Sequence, residues 1–161
     1  MNKKKKFLTV LSAGHFDPFP HRGHIHHFEK AKKLGNWLIV AVNSDEDCRK
    51  KHDGLCYMPQ EERMLQVGAL KPVDEVIPAY GNDGTMTQTI LKVKPDLFAK
   101  GGDRTPDNMP QSELDACKKV GCRIVYGVGR PENSSSSIIQ KILYMSKEWF
   151  RKKFKNEANT G

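Results

Sequence analysis

No run of eighteen apolar residues occurs in the 161-residue chain, so no membrane-spanning helix is expected. The apolar stretch after Lys3 to Lys6, "FLTVL", is too short for a secretory signal, which points to an unsecreted, cytoplasmic protein. Cysteine is scarce, and Cys48, Cys56, Cys117 and Cys122 form no C-x-x-C. Buried or idle thiols in a reducing compartment are expected rather than zinc ligands. Neither G-x-G-x-x-G nor G-x-x-x-x-G-K-[ST] is present, so a dinucleotide fingerprint and a P-loop are both unsupported. There is no internal repeat, and the only low-complexity stretch is the serine run 134 to 137. The length suits one domain over residues 1–161, with a core at about 7–145 and a basic C-terminal helix to about 156.

What is present is positive charge, formally +8, which suits an anionic partner. Much of it lies in Lys3 to Lys6 and Lys147 to Lys155, where a solvated run is the plain reading. Between these ends, short apolar runs alternate with helical spacing. "FLTVLSAG" (7 to 14) reads as a strand, "HIHHFEKAKKLG" (24 to 35) as a helix, and "NWLIVAVNSD" (36 to 45) as a strand buried on both faces. A helix over Pro59 to Leu70, a strand at 74 to 79, a helix over Thr85 to Val93 and a strand at 96 to 102 repeat the pattern. A helix over Gln111 to Lys119, a strand at 123 to 128 and a long helix from Ser135 complete it. This alternation predicts an α/β, doubly wound, Rossmann-like and mostly parallel sheet with helices on both faces, and ligands at the carboxyl ends of its strands.

"GHFDPFPHRGHIHH" (14 to 27) holds five of the six histidines. Three readings are open: a metal site from His21, His24 and His27, surface caps at a helix start, or a pair serving phosphate chemistry. If a helix begins near Arg22, His21 and His24 share one side of its first turn, where the helix end attracts anions. Gly23 would then let a phosphate approach the backbone. His15 belongs to the strand-end turn, and His26 and His27 are expected to decorate the helix. No Cys or Glu at ligand spacing supports the metal reading.

"GHFDPFPHRGH" resembles the G-x-F-D-x-x-H-x-G-H signature of a nucleotidyltransferase superfamily, the cytidylyltransferase-like family. It includes glycerol-3-phosphate cytidylyltransferase and the adenylyltransferase domain of the ADP-heptose synthesis enzyme. "KLGNWLIVAVNSD", "EERM", "GALKPVDEVIPA", "KPDLFAKGGD" and "SSSSII" resemble its later blocks in order, over roughly residues 7 to 140. The resemblance implies that His21 and His24 stabilise the transition state, that Lys51, with Lys50 beside it, contacts phosphates, and that Arg63 holds substrate or triphosphate charge. It also implies nucleotide contacts from Gly14, Phe16, Asp17, Gly23, Gly101, Gly102, Asp103, Arg130, Ser134, Ser135 and Ser136. Mg2+ would be carried mainly by the phosphates rather than by protein ligands. Two departures stand out: three residues, Pro18-Phe19-Pro20, separate Asp17 from His21 where the family has two, and Ser-Ser-Ser replaces S-T-T.

The function expected is transfer of CMP from CTP to a small phosphorylated alcohol or sugar with release of pyrophosphate. The alternative is AMP transfer from ATP to a sugar phosphate. CTP is placed ahead because small single-domain relatives tend to be cytidylyltransferases, although "VNSD" and "KGGD" look more like the ADP-heptose branch. A nucleic-acid-binding module and an inactive nucleotide sensor are the rivals from other classes. The cations cluster at the chain ends and no RNA-recognition signature appears, so no nucleic acid is expected. In the last helix, Ile138, Ile142, Met145 and Trp149 form one stripe and Ile139, Leu143, Phe150 and Phe154 a second. The first half is expected to pack on the sheet. The second, "EWFRKKFK", suits a second subunit, making a homodimer the expectation, with membrane contact the lesser alternative.

Overall fold

The computed structural model describes residues 7–51, 54–102, 104–129 and 134–157, with side chains to 153. Its five strands are β1 (Thr9–Gly14), β2 (Trp37–Val42), β3 (Glu75–Pro78), β4 (Leu97–Ala99) and β5 (Arg123–Val125). They form one parallel sheet in the order β3-β2-β1-β4-β5. The helices are α1 (Arg22–Lys32), α2 (Asp45–Lys51), α3 (Gln60–Gly68), α4 (Thr87–Val93), α5 (Gln111–Val120) and α6 (Ser135–Glu157). The doubly wound α/β architecture expected from the sequence is therefore present.

Alternation along the strands builds two cores. Val10, Leu38, Val40, Val42, Leu97 and Ala99 pack with Phe28 and Ala31 of α1 and Val67 of α3. Leu11, Ile39, Ala41 and Phe98 face the other way, onto Ile90 of α4 and Ala116 and Cys117 of α5. β2 carries no polar residue because both of its faces are covered. After β3 the chain returns to the opposite side of β1, so right-handed crossovers place α1 and α3 on one face and α4 and α5 on the other. The winding reverses between β1 and β4, and a crevice opens there beyond the strand ends.

Two segments differ from the sequence reading. Residues 45–51, given no helix or strand by the sequence pattern, form helix α2 with Lys50 and Lys51 at its end. Its first turn is acidic and its last turn basic, in line with the helix dipole, and Ser44 Oγ accepts from Asp47 N at 3.1 Å. In α6 the first half does not pack on the sheet: Ile142, Leu143, Tyr144 and Met145 are more than half exposed, as are Trp149 and Phe150. Both sheet faces are already occupied by the other helices, which leaves α6 projecting from its first turn. No described helix is long and apolar enough to cross a membrane.

Candidate active site

A cavity of ≈ 490 Å³ fills the crevice. It is lined by Gly14, His15, Phe16 and Asp17 after β1, by His21, Gly23, His24 and His27 of the α1 start, and by Asn43 and Lys51 after β2. Lys100, Gly101 and Gly102 after β4, and Ser134 to Ser136 at the start of α6, close the far side.

The three residues between Asp17 and His21 are absorbed ahead of the helix without moving the histidines off it. Phe16 adopts a left-handed backbone (φ 56), a conformation that side chains other than glycine seldom hold, and its ring is buried against His24 with centroids 5.0 Å apart. Gly14 makes room for it, since a Cβ there would lie 2.9 Å from the Phe16 ring. Asp17 is also buried, and its two oxygens accept from Tyr57 N (3.0 Å) and Met58 N (2.9 Å), pinning the loop before α3 under the turn.

His21 is the N-cap of α1. Its Nδ1 accepts from Gly23 N at 3.2 Å, and His24 Nδ1 accepts from His21 N at 3.3 Å, a reciprocal capping box. A backbone N–H can only donate, so each Nδ1 is unprotonated and each neutral ring carries its proton on Nε2. The two rings stack with centroids 3.8 Å apart and 24° between planes, giving the cavity two N–H donors side by side. Burial lowers the pKa of His21. That of His24 is pushed down to about 3, by burial first and then by His21, His27 and Lys51.

The sign of this shift makes a prediction. The unfolded chain protonates His24 near its ordinary value of 6.5, the folded chain only near 3. The unfolded state therefore binds the extra proton between those values, so stability is whole above about pH 6.5 and is lost as the pH falls towards 3. A His24→Gln variant should show a shallower decline of melting temperature between pH 7 and 4. Equal slopes would mean that folding does not hold this imidazole neutral.

His27 does more than decorate α1. Its Nδ1 donates to Val128 O at 2.7 Å, so in the neutral ring Nε2 accepts from Ser12 Oγ at 2.8 Å. The imidazole thereby ties β1 to the segment after β5. Gly129 allows this closeness: a Cβ there would meet the His27 Cα at 3.0 Å.

The last helix supplies a second N-terminus to the cavity. Ser134 Oγ accepts from Ser137 N and Ser137 Oγ from Ser134 N, both at 3.1 Å, so these two serines cap α6. Ser135 and Ser136 line the cavity beside the capping Ser134.

Two candidates belong elsewhere. Arg63 was expected to hold substrate charge, yet its side chain is fully buried and lies outside the cavity lining. Its Nε donates to Met58 O (2.9 Å), Nη1 to His15 O (2.6 Å) and Nη2 to Asp45 Oδ1 (2.6 Å). It is a clamp beneath the turn, buried and paired with Asp45. Lys50 is held by Glu46 Oε1 and Asn82 O, each at 2.8 Å, and only Lys51 of the two lines the cavity. Asp103 and Arg130 lie outside the described residues.

The sequence reading missed Asn43, Met86, Lys100, Arg104 and Glu113, which also line the cavity. Lys100 sat unremarked inside the "KGGD" block, whereas nothing in the sequence marks Glu113. Asp17, Cys48 and Cys56 also come within 4.8 Å of one another behind the turn. Burial pushes the Cys48 thiol up to about 12 and Asp17 is committed to backbone amides, so this cluster reads as packing. All four cysteines are free thiols.

A doubly wound sheet with paired imidazoles at one helix start and a serine-capped helix start across the crevice defines a nucleotidyltransferase domain. The chain belongs to the cytidylyltransferase-like family, whose profile matches residues 11–142. It is 40% identical over 112 residues to bifunctional protein HldE of Cronobacter sakazakii, covering 69% of this chain but 23% of that protein. It is 35% identical over 139 residues to FAD synthase of Archaeoglobus profundus, covering 84% of this chain and 86% of that one. Among solved structures, the lipopolysaccharide core biosynthesis protein of Thermoplasma volcanium superposes with a TM-score of 0.64 at 29% identity, over 79% of this chain and 100% of that chain.

Proposed function

We propose that the protein transfers AMP from ATP to the phosphate of a small, hydroxyl-rich acceptor and releases pyrophosphate. The observation that carries this reading is the stacked His21–His24 pair, whose Nδ1 atoms are taken by the cap and whose rings both belong to residues lining a cavity that a second helix N-terminus also lines. An oxygen of the acceptor's phosphate forms a bond to the α-phosphorus, and the bond from that phosphorus to the α–β bridging oxygen breaks. Pyrophosphate leaves with the electron pair. The acceptor oxygen is already anionic, so no general base is needed, and catalysis amounts to positioning and charge stabilisation. The two imidazole N–H groups and Lys51 supply the latter.

ATP is preferred to CTP here, reversing the order expected from the sequence. FAD synthase is named for an adenine dinucleotide, and the "VNSD" and "KGGD" blocks resemble the ADP-heptose branch. CMP transfer is the second reading, favoured by the cytidylyltransferase-like profile itself. Mg2+ would enter with the nucleotide: the two carboxylates among the described cavity residues are engaged, Asp17 by backbone amides and Glu113 by Lys100. Among the described residues the lining offers one aromatic ring besides the imidazoles, the buried Phe16, which favours a sugar or polyol phosphate over a flavin.

A pyrophosphate-release screen crossing ATP, CTP, GTP and UTP with sugar phosphates, polyol phosphates and FMN tests this. ATP with a sugar or polyol phosphate is the expected pair. Nucleotide binding without turnover for every pair would make the protein a sensor, and steeply salt-dependent RNA binding without turnover would make it a nucleic-acid module.

A further inference from the structure

The histidines open onto the cavity from the α1 side of the sheet; a second polar group lines it from the α4–α5 side. Leu97 and Ala99 face the α1–α3 core and Phe98 the other, so Lys100, one residue on, emerges over the Phe98 ring, with Nζ 4.2 Å from its centroid. There Lys100 Nζ meets Glu113 Oε2 at 2.9 Å, with the side chains only 14% and 4% exposed. Glu113 Oε1 accepts from Met86 N at 2.9 Å and so closes the start of α4, but Oε2 takes no well-directed hydrogen bond. Desolvating both charges is costly, and an apolar pair of similar size would serve a merely structural wall as well. The fold uses one carboxylate oxygen and leaves the other buried beside the ammonium, on two residues that both line the cavity.

We propose that Lys100 and Glu113 form the acceptor subsite, Glu113 Oε2 accepting a hydrogen bond from one acceptor hydroxyl and Lys100 Nζ donating to the oxygen of a neighbouring one. The inference rests on the nucleotidyl-transfer reading and names which part of the acceptor this wall recognises. A carboxylate repels a phosphate, and the ion pair cancels its own charge, so the acceptor's phosphate belongs with His24 and Lys51 on the other side. A hydroxyl both gives and takes a hydrogen bond, which matches an acid and an ammonium set 2.9 Å apart. Met86, Ala13 and Ala99 in the same cavity offer the carbon skeleton an apolar surface.

The test uses the acceptor that the screen identifies, its singly deoxygenated analogues, and the variants Glu113→Gln and Lys100→Met. Glutamine can still accept from Met86 N through Oε1, so the variant keeps the α4 start while replacing the acceptor oxygen with a donor. The KM for the acceptor should rise about ten- to a hundred-fold, the scale for losing a charged hydrogen bond, while the Kd for ATP changes less than ~2-fold. One deoxy analogue should cost the wild type a similar factor and cost Glu113→Gln little, as expected when both changes delete the same contact. An unchanged acceptor KM, or equal losses for ATP and acceptor, would overturn the subsite and leave nucleotidyl transfer standing. Should Glu113→Gln fail to fold, Lys100→Met carries the same comparison. If the wild type turns over no acceptor, nucleotidyl transfer falls and the subsite with it.

Discussion

Replacing His24 with alanine will leave a folded protein whose kcat is lower by at least ~10²-fold, the scale for removing a donor that acts on charge developing in the transition state. The stability cost should be small. The variant loses the acceptor for His21 N, a capping contact of about 1 kcal/mol, together with an edge contact on Phe16. A drop of a few degrees in melting temperature follows for a chain of this size. The comparison with His24→Gln is informative because glutamine can restore a donor without the imidazole's geometry. Near-wild-type turnover in His24→Ala would remove the histidine pair from the chemistry.

The largest effect on stability is expected at a residue first read as catalytic. Arg63→Ala should destabilise the fold by about 3 kcal/mol, because it deletes a buried guanidinium and strands its partners, Asp45 Oδ1 and the carbonyls of Met58 and His15. That corresponds to a melting temperature roughly 10 °C lower. Arg63→Lys should recover only part of the loss, since an ammonium cannot fork to three acceptors at fixed angles. Thermal melts set against ATP titrations at low temperature separate the two roles. A variant that melts like the wild type but no longer binds ATP would return Arg63 to the substrate.

The fold was legible because its signals are local. The unbroken apolar run "WLIVAV", the glycine that ends β1 and helical spacing in between all follow from a parallel sheet covered on both sides. The histidine pair was legible too, through a three-residue spacing that a helix start turns into adjacency. What escaped was whatever depends on packing between distant segments. An arginine in "EERM" looks the same whether it meets a phosphate or clamps His15 O, 48 residues away. Glu113 becomes interesting only once α5 brings it against Lys100. Lys50 and Lys51 are separable only because α2 is helical, which turns adjacent residues to different sides. The short α2 is itself signalled by "SDED" followed by "RKK", a cap and dipole pattern.

The strand order β3-β2-β1-β4-β5 also bears on how the chain emerges from a ribosome. β1, β2 and β3 are made first, so the far edge of β1 waits with Val10 and Leu11 lacking their second strand neighbour until β4 is synthesised at Leu97–Ala99. The cavity needs more still: His27 binds Val128 O, and the lining ends only at Ser136. A nascent chain halted before the serine cap would hold all five strands yet only part of the cavity lining. Nucleotide can therefore stabilise this domain only late in its synthesis, after nearly all of the sheet has had to fold without it.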